Sequence, residues 1–288
     1  MAVSLDTRKE KIRRGFIVTL SYFILITYAL FMISPFLWIF SGAFKEEKEI
    51  ITYPPTILPT RVTLENINHV ISNQELMVAI RNSLICSFGN IAISTLIPMF
   101  AGYSFARFDF KGKDFLRILL LLVMLIPGNI LIVPIYFFFA NLGLLDTLIG
   151  LILVYATGSI PLNTILLSGY FLTIPKDLEE AAMVDGDSRI AAFVKITLPL
   201  AAPALAACVI FAFVDAWREF IIALILTHSK TMRTFPVALY YFVGIKYGTV
   251  EWGPLCAAVF LSTIPLIIIF LFFQRYFIYG LTGGAIKG

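Results

Sequence analysis

Charge is scarce in this sequence. Lys and Arg number 22 and Asp and Glu 18, only 14% of 288 residues, against about 25% in soluble domains. Histidine is nearly absent: His69 and His228 stand alone, neither with an acid at catalytic spacing, so His-based acid–base chemistry lacks its residues. The three cysteines, Cys86, Cys208 and Cys256, are odd in number, lie in apolar runs and form no Cys-x-x-Cys pair. A disulfide framework or zinc site is thereby excluded, and the cysteines read as packing residues. No Gly-x-x-x-x-Gly-Lys-Ser/Thr occurs, which removes the phosphate cradle of a P-loop ATPase. What is abundant is apolar surface: 59% hydrophobic residues with 27 Phe, and a mean hydropathy of +0.91. A soluble domain of this length has no means of hiding so much, and a disordered or collagenous chain does not carry it. The class left is an all-α polytopic membrane protein.

A membrane-crossing helix needs about 20 apolar residues. Six stretches qualify, at about 16–40, 82–105, 118–140, 148–173, 198–227 and 253–275. They make one transmembrane domain over 16–280, with outer loops at 45–81 and 228–252 and tails at 1–15 and 281–288. The first stretch follows a basic run (Arg8, Lys9, Lys11, Arg13, Arg14). It is about twice the apolar length of a signal peptide and no Ala-x-Ala site follows, so it reads as a retained anchor. Asn141-Leu142-Gly143 predicts a tight hairpin between the third and fourth spans. Fourteen Lys and Arg fall on the side of the termini, seven on the other, and Arg218 inside span five; by the positive-inside rule both termini are cytoplasmic. Interior prolines at 98, 127, 134, 161 and 265 are compatible with membrane helices as kinks.

The segment 175–199 is unlike the other loops. Pro175 precedes a first turn holding Asp177, Glu179 and Glu180, suited to a helix start. Leu178, Ala181, Ala182 and Met183 give a small apolar stripe, Asp185-Gly186 a turn, and Ile190, Phe193 and Val194 one side of a second short helix. Five acids outnumber three bases in it, an acidic rim suited to docking into a basic groove. Glu180-Ala181-Ala182, Asp185-Gly186 and Ile196-x-Leu198-Pro199 resemble the EAA loop of ABC importer permeases. Asn82-Ser83-Leu84, Ala106-Arg107-Phe108 with Gly112-Lys113, Gly143-Leu144-Leu145-Asp146-Thr147 and the terminal stretch from Gly280 to Gly288 are similar to carbohydrate importers of the maltose-transporter type, on the side of the smaller six-span permease.

The resemblance implies a non-catalytic subunit that forms part of a path for a sugar or oligosaccharide, in a bacterial or archaeal cytoplasmic membrane. It implies a second permease, two ATPase subunits that hold ATP and magnesium, and an extracytoplasmic binding protein; this chain holds no cofactor. The ATPase would be coupled through Glu180, Ala181, Ala182, Asp185, Gly186, Ile196, Leu198 and Pro199, with Glu180 on a basic residue and Gly186 in a shape with no room for a β-carbon. Two outer segments are candidates to meet the binding protein. Residues 45–81 carry Tyr53-Pro54-Pro55 and a helix with Leu64, Ile67, Val70 and Ile71; 228–254 carry Phe235, Tyr240, Tyr241, Phe242, Tyr247 and Trp252, aromatics that suit an interface or a headgroup belt equally. Another polar solute, such as a glycerophosphodiester, is the alternative cargo. A self-sufficient secondary transporter is disfavoured by the lack of an internal repeat, and a metal-dependent headgroup transferase by Ala182 and Ile190 where Asp and Arg would stand.

Span five departs from the family text. Where Ala-Trp-Asn-Glu-Phe is usual, Ala216-Trp217-Arg218-Glu219-Phe220 stands here. Asp215, Arg218 and Glu219 are spaced to share a helical face, either as a self-neutralising pair or as the lining of the translocation path.

Overall fold

The computed structural model describes the backbone of residues 8–243 and 250–285, and side chains within 13–276 apart from Asn129 and 244–249. Lys246, Tyr247 and the last residues, 286–288, therefore lie outside the described residues. Among those described the chain is helical, without strands. In order come α1 (Arg8–Gly42), α2 (Glu47–Ile50), α3 (Glu65–Ser72) and α4 (Gln74–Arg107). Next are α5 (Lys113–Leu125), α6 (Ile132–Asn141), α7 (Leu148–Thr173), α8 (Asp177–Val184) and α9 (Arg189–Ala192). The series ends with α10 (Leu198–Leu200), α11 (Ala202–Arg218), α12 (Ile221–Leu226), α13 (Phe235–Val243) and α14 (Trp252–Ala285).

Among the described residues four helices are long and apolar enough to cross a membrane: α1, α4, α7 and α14. They cover four of the six expected spans. The other two are interrupted, span three at a proline and span five at a proline and again at Glu219. Pro127 offers no N–H and holds Ile126 extended at ψ 117°. Span three is therefore two helices of 13 and 10 residues joined by a 3-10 turn. In span five the chain bends by 74° between Leu200 and Ala202, where Pro203 sits in the first turn of α11 and its ring excludes a straight helix. The expected continuous helices over 118–140 and 198–227 are corrected accordingly. The hairpin after α6 forms as expected, with Thr147 capping α7 through a 3.1 Å bond from Gly150 N–H. All three cysteines are buried and unpaired.

The chain forms two compact units. One comprises residues 1–70 with 250–261. There Asn66 donates to the carbonyls of Ala43 and Lys45 at 3.3 and 2.7 Å. Glu47 accepts from the N–H groups of Trp252 and Gly253 at 2.8 and 2.7 Å, a carboxylate on the positive end of α14. In α3 the buried face is Asn66 and Val70, while Leu64 and Ile71 are exposed, so the expected apolar stripe contributes Val70 and, half-buried, Ile67.

The second unit, residues 71–249 with 262–288, is built on α4, α7 and α11. A β-carbon at Gly102 would lie 3.0 Å from the backbone nitrogen of Ser168 and 3.2 Å from the carbonyl of Thr164. The α4 and α7 backbones thus meet there, as small residues allow between membrane helices. Side-chain amides hold the same helices: Asn90 donates to Ala212 O and Asn163 to Ser94 O, each at 2.7 Å. Asp146 accepts from the backbone N–H of His228 and Ser229 at 2.9 and 3.0 Å. Burial pushes its carboxyl up, but those bonds outweigh it and hold the pKa below the ordinary value.

Candidate functional site

Residues 175–199 fold as a hairpin. After α8, Asp187 N–H donates to Ala182 O at 3.0 Å and Gly186 N–H to Met183 O at 3.2 Å, the pair of bonds that closes a Schellman end. That end needs a left-handed residue, and Gly186 takes φ +101°. A β-carbon there would meet nothing within 4 Å. Within this chain the glycine is required by its backbone angle and not by crowding, which corrects the expectation of a filled space. Ser188 then caps α9 by accepting from Ala191 N–H at 3.2 Å, and Lys195 pairs with Asp187 at 2.6 Å.

Both arms of the hairpin converge on one carboxylate. Glu179, only 5% exposed, accepts at Oε1 from Thr197 Oγ1 (2.7 Å) and Arg107 Nε (2.8 Å), and at Oε2 from the Tyr103 hydroxyl (2.8 Å). Arg107 also donates through Nη2 to Ile174 O at 3.0 Å. Burial pushes the Glu179 carboxyl up. The bonds from Thr197, Tyr103 and Arg107, with the guanidinium charge, outweigh burial and hold its pKa below the ordinary value. Aromatic rings pack around this centre, with Phe193 4.3 Å and Phe171 5.9 Å from the Tyr103 ring. The Arg189 guanidinium lies 5.1 Å above Phe108.

Of the eight residues expected to couple to the ATPase, only Ala182 is buried. Glu180, Ala181, Asp185, Gly186 and Pro199 are exposed; Ile196 and Leu198 are half-buried. The apolar stripe through Leu178 and Ala181 is outward-facing instead. Ile190 and Val194 do not share a side with Phe193: they are 75% and 51% exposed against 3%. Ile190 and Val194 are four residues apart and share the exposed face, while Phe193 opens a π-helical turn over Phe193–Thr197 on the buried one. The acidic rim is thinner than the composition suggested, since Glu179 and Asp187 are paired internally. Asp177, Glu180 and Asp185 remain exposed.

The sequence reading passes over the most tightly held residues. Tyr103 and Thr197 carried no role, Glu179 counted only as a charge in the first turn of the loop helix, and Arg107 only as a loop charge and as part of Ala106-Arg107-Phe108. Two signals were available. Glu179 lies three residues before Ala182, on the same helical face, and Thr197 is the open position in Ile196-x-Leu198-Pro199, fully buried here.

In span five the expected common face is broken. Arg218 does pair with Asp215 at 2.7 Å, with side chains 73% and 43% exposed. Glu219, however, leaves the helix at ψ 128°. Its carboxylate accepts from Ile222 N–H (2.7 Å), Ala223 N–H (2.9 Å) and the Tyr155 hydroxyl (3.1 Å), satisfying the open N–H groups that start α12. Glu219 is thus a capping residue, turned away from the Asp215–Arg218 pair.

Residues 94–282 match the model of a family described as the binding-protein-dependent transport system inner membrane component. The chain belongs to this family. It is 36% identical over 265 residues to the trehalose/maltose transport system permease protein MalG of Thermococcus litoralis, covering 91% of this chain and 94% of that protein. The diacetylchitobiose uptake system permease protein DasC of Streptomyces coelicolor is 33% identical over 257 residues, covering 89% and 92%. In fold the chain is similar to a bacterial ABC transporter involved in the import of the acidic polysaccharide alginate, with a TM-score of 0.81 at 20% identity, covering 96% of this chain and all of that one. The protein is a multi-pass membrane permease of an ABC importer.

Proposed function

We propose that this permease forms part of the path for a sugar or oligosaccharide. The partners in this reading are a second permease subunit, two ATPase subunits on the cytoplasmic side and a solute-binding protein on the other. The chain binds no ATP and catalyses no reaction itself. In this reading the chain crosses the bilayer six times, with the broken segments 113–141 and 198–227 each counted as one, so both termini share a side, and the excess of Lys and Arg there makes it the cytoplasmic side. The saccharide assignment is supported by relatives named for trehalose, maltose and diacetylchitobiose transport.

The observation that carries the ATPase reading is the two-sided hairpin at 175–199. One side is fastened to α4 through Glu179. The other presents the exposed Glu180 and Asp185 beside Val184, 87% exposed, and Ile190, 75% exposed. An apolar centre with an acidic edge suits a partner's basic-rimmed groove. Glu180, Ala181, Asp185, Gly186 and Pro199 would touch the ATPase, while Ala182, Ile196 and Leu198 would support them.

The test is co-purification of the ATPase with membrane-inserted Glu180→Lys, which should lose the ATPase; full retention rejects the docking face. A reporter active only outside the cytoplasm checks the topology. It should be silent after Gly288 and active when fused within 45–75.

A further inference from the structure

Resting on that reading, we infer that Arg107 and Glu179 are a positioning pair through which displacement of the 175–199 hairpin is delivered to α4. Two points of the hairpin region bond directly to one turn of α4, and a third is tied to that turn through Glu179. The Ile174 carbonyl before it bonds to Arg107, and Glu179 in its first helix bonds to Arg107 and Tyr103. Thr197, near its end, reaches the same Glu179 oxygen as Arg107 does. Tyr103 and Arg107 are four residues apart and so share a face of α4. Both ends of the hairpin are thereby fastened to one helix, and the hairpin cannot slide beneath α4 without breaking several bonds at once.

Burial makes these bonds persistent. The side chains of Arg107 and Glu179 are 5% and 7% exposed, so water is not at hand to replace a bond that opens. Glu179 and Glu180 are consecutive in α8, and with 3.6 residues per turn consecutive side chains diverge by about 100°. One turn of helix therefore offers Glu180 to a partner and fastens Glu179 to the membrane unit. Beyond the clamp, α4 is tied to its neighbours by Gly102 against α7, by Asn90 on Ala212 O and by Asn163 on Ser94 O. A displacement entering α4 at Arg107 thus passes to α7 and α11 together.

The experiment measures uptake and ATP hydrolysis on the same proteoliposomes holding the full importer. The variants are Arg107→Lys, which keeps the charge but loses the forked geometry, Glu179→Gln and Tyr103→Phe. Expected is retention of the ATPase subunits and of hydrolysis, with solute moved per ATP falling about 10-fold in the first two, within the range of about 5–150-fold typical of coupled sites, and less in Tyr103→Phe. An unchanged ratio in all three overturns the inference. Parallel loss of inserted protein and bound ATPase in all three overturns it too, since the pair would then serve folding alone. Glu180→Lys is run alongside: if it keeps the ATPase bound, the docking reading fails whatever the clamp variants do.

Discussion

Two ion pairs of nearly equal length stand in very different surroundings in this permease. Arg107–Glu179 measures 2.8 Å and Arg218–Asp215 measures 2.7 Å. The first is 5% and 7% exposed, joins segments distant in sequence, accepts further bonds from Tyr103 and Thr197 and donates one to Ile174 O. The second is 73% and 43% exposed and lies within one helix at i, i+3. Separation alone therefore says little about consequence. Removing one member of a buried pair leaves an uncompensated charge, at a cost of about 3–5 kcal/mol. A water-exposed pair within one helix is worth about 0–1 kcal/mol.

The sharpest way to break this contrast is to remove one partner from each pair. Arg107→Met should lower the thermal stability of the purified permease by about 3–5 kcal/mol, whereas Asp215→Asn should change it by less than about 1 kcal/mol. Replacing both clamp residues, Arg107→Met with Glu179→Met, should recover much of the stability, because no charge is left stranded, without recovering coupling. Equal losses for the two single variants would show that Asp215–Arg218 is also covered in the assembled importer.

Next in size is the turn between α8 and α9. Gly186→Val forces a β-branched residue to φ +101°, a strain of about 1–3 kcal/mol. Since nothing crowds the position within this chain, the loss should be local. Membrane insertion should survive while the bound ATPase is released or transport per ATP falls; Gly186→Asn, more tolerant of positive φ, should do less. Full transport by Gly186→Val would remove the turn from the coupling argument.

The same two regions show what the sequence made legible. Hydropathy found the helices that run unbroken, because apolar content is what a bilayer selects. It failed at Pro127 and at Pro203, where a local loss of N–H groups outweighs a favourable run of side chains. The hairpin's turn was readable because Asp185-Gly186 is a local signal. Its clamp was not, because Tyr103, Arg107 and Glu179 come together only when α4 and α8 pack, and the local hints, Glu179 three residues before Ala182 and the open position at Thr197, name no partner. Glu219 was assigned to the wrong face for a related reason. Helical spacing assumes a continuing helix, and this one stops at Arg218.

A smaller effect should appear with acid. The folded-state pKa of Glu179 is depressed below its ordinary value of 4.5. Its contribution to stability is therefore full above that ordinary value and is lost as the pH falls from there through the depressed folded-state pKa. Thermal denaturation of the purified permease should be insensitive to this group between pH 5 and 8 and lose stability below about pH 4.5. Glu179→Gln should flatten that acid limb. An identical limb in the variant would assign the acid sensitivity to other carboxylates.

The smallest expected effect on stability is at Arg218, where it also tests which way the exposed pair faces. Charges on a span are costly in lipid and face a wet cavity or a protein partner. With Glu219 turned away to cap α12, the pair stands without it, and its 73% exposed arginine has guanidinium donors free for a hydroxyl or carboxylate of a passing solute. Arg218→Asn gives this position the residue of the Ala-Trp-Asn-Glu-Phe text that the segment resembles. Assembly, ATPase retention and hydrolysis should be unchanged, and thermal stability should move by less than about 1 kcal/mol. Uptake measured over neutral and acidic oligosaccharides should fall, or shift away from the acidic ones, if the pair lines the path. Undiminished uptake with unaltered preference would make Arg218–Asp215 a surface pair. A stability loss comparable to that of Arg107→Met would instead place it under a partner subunit, and the contrast between the two pairs would then dissolve in the assembled importer.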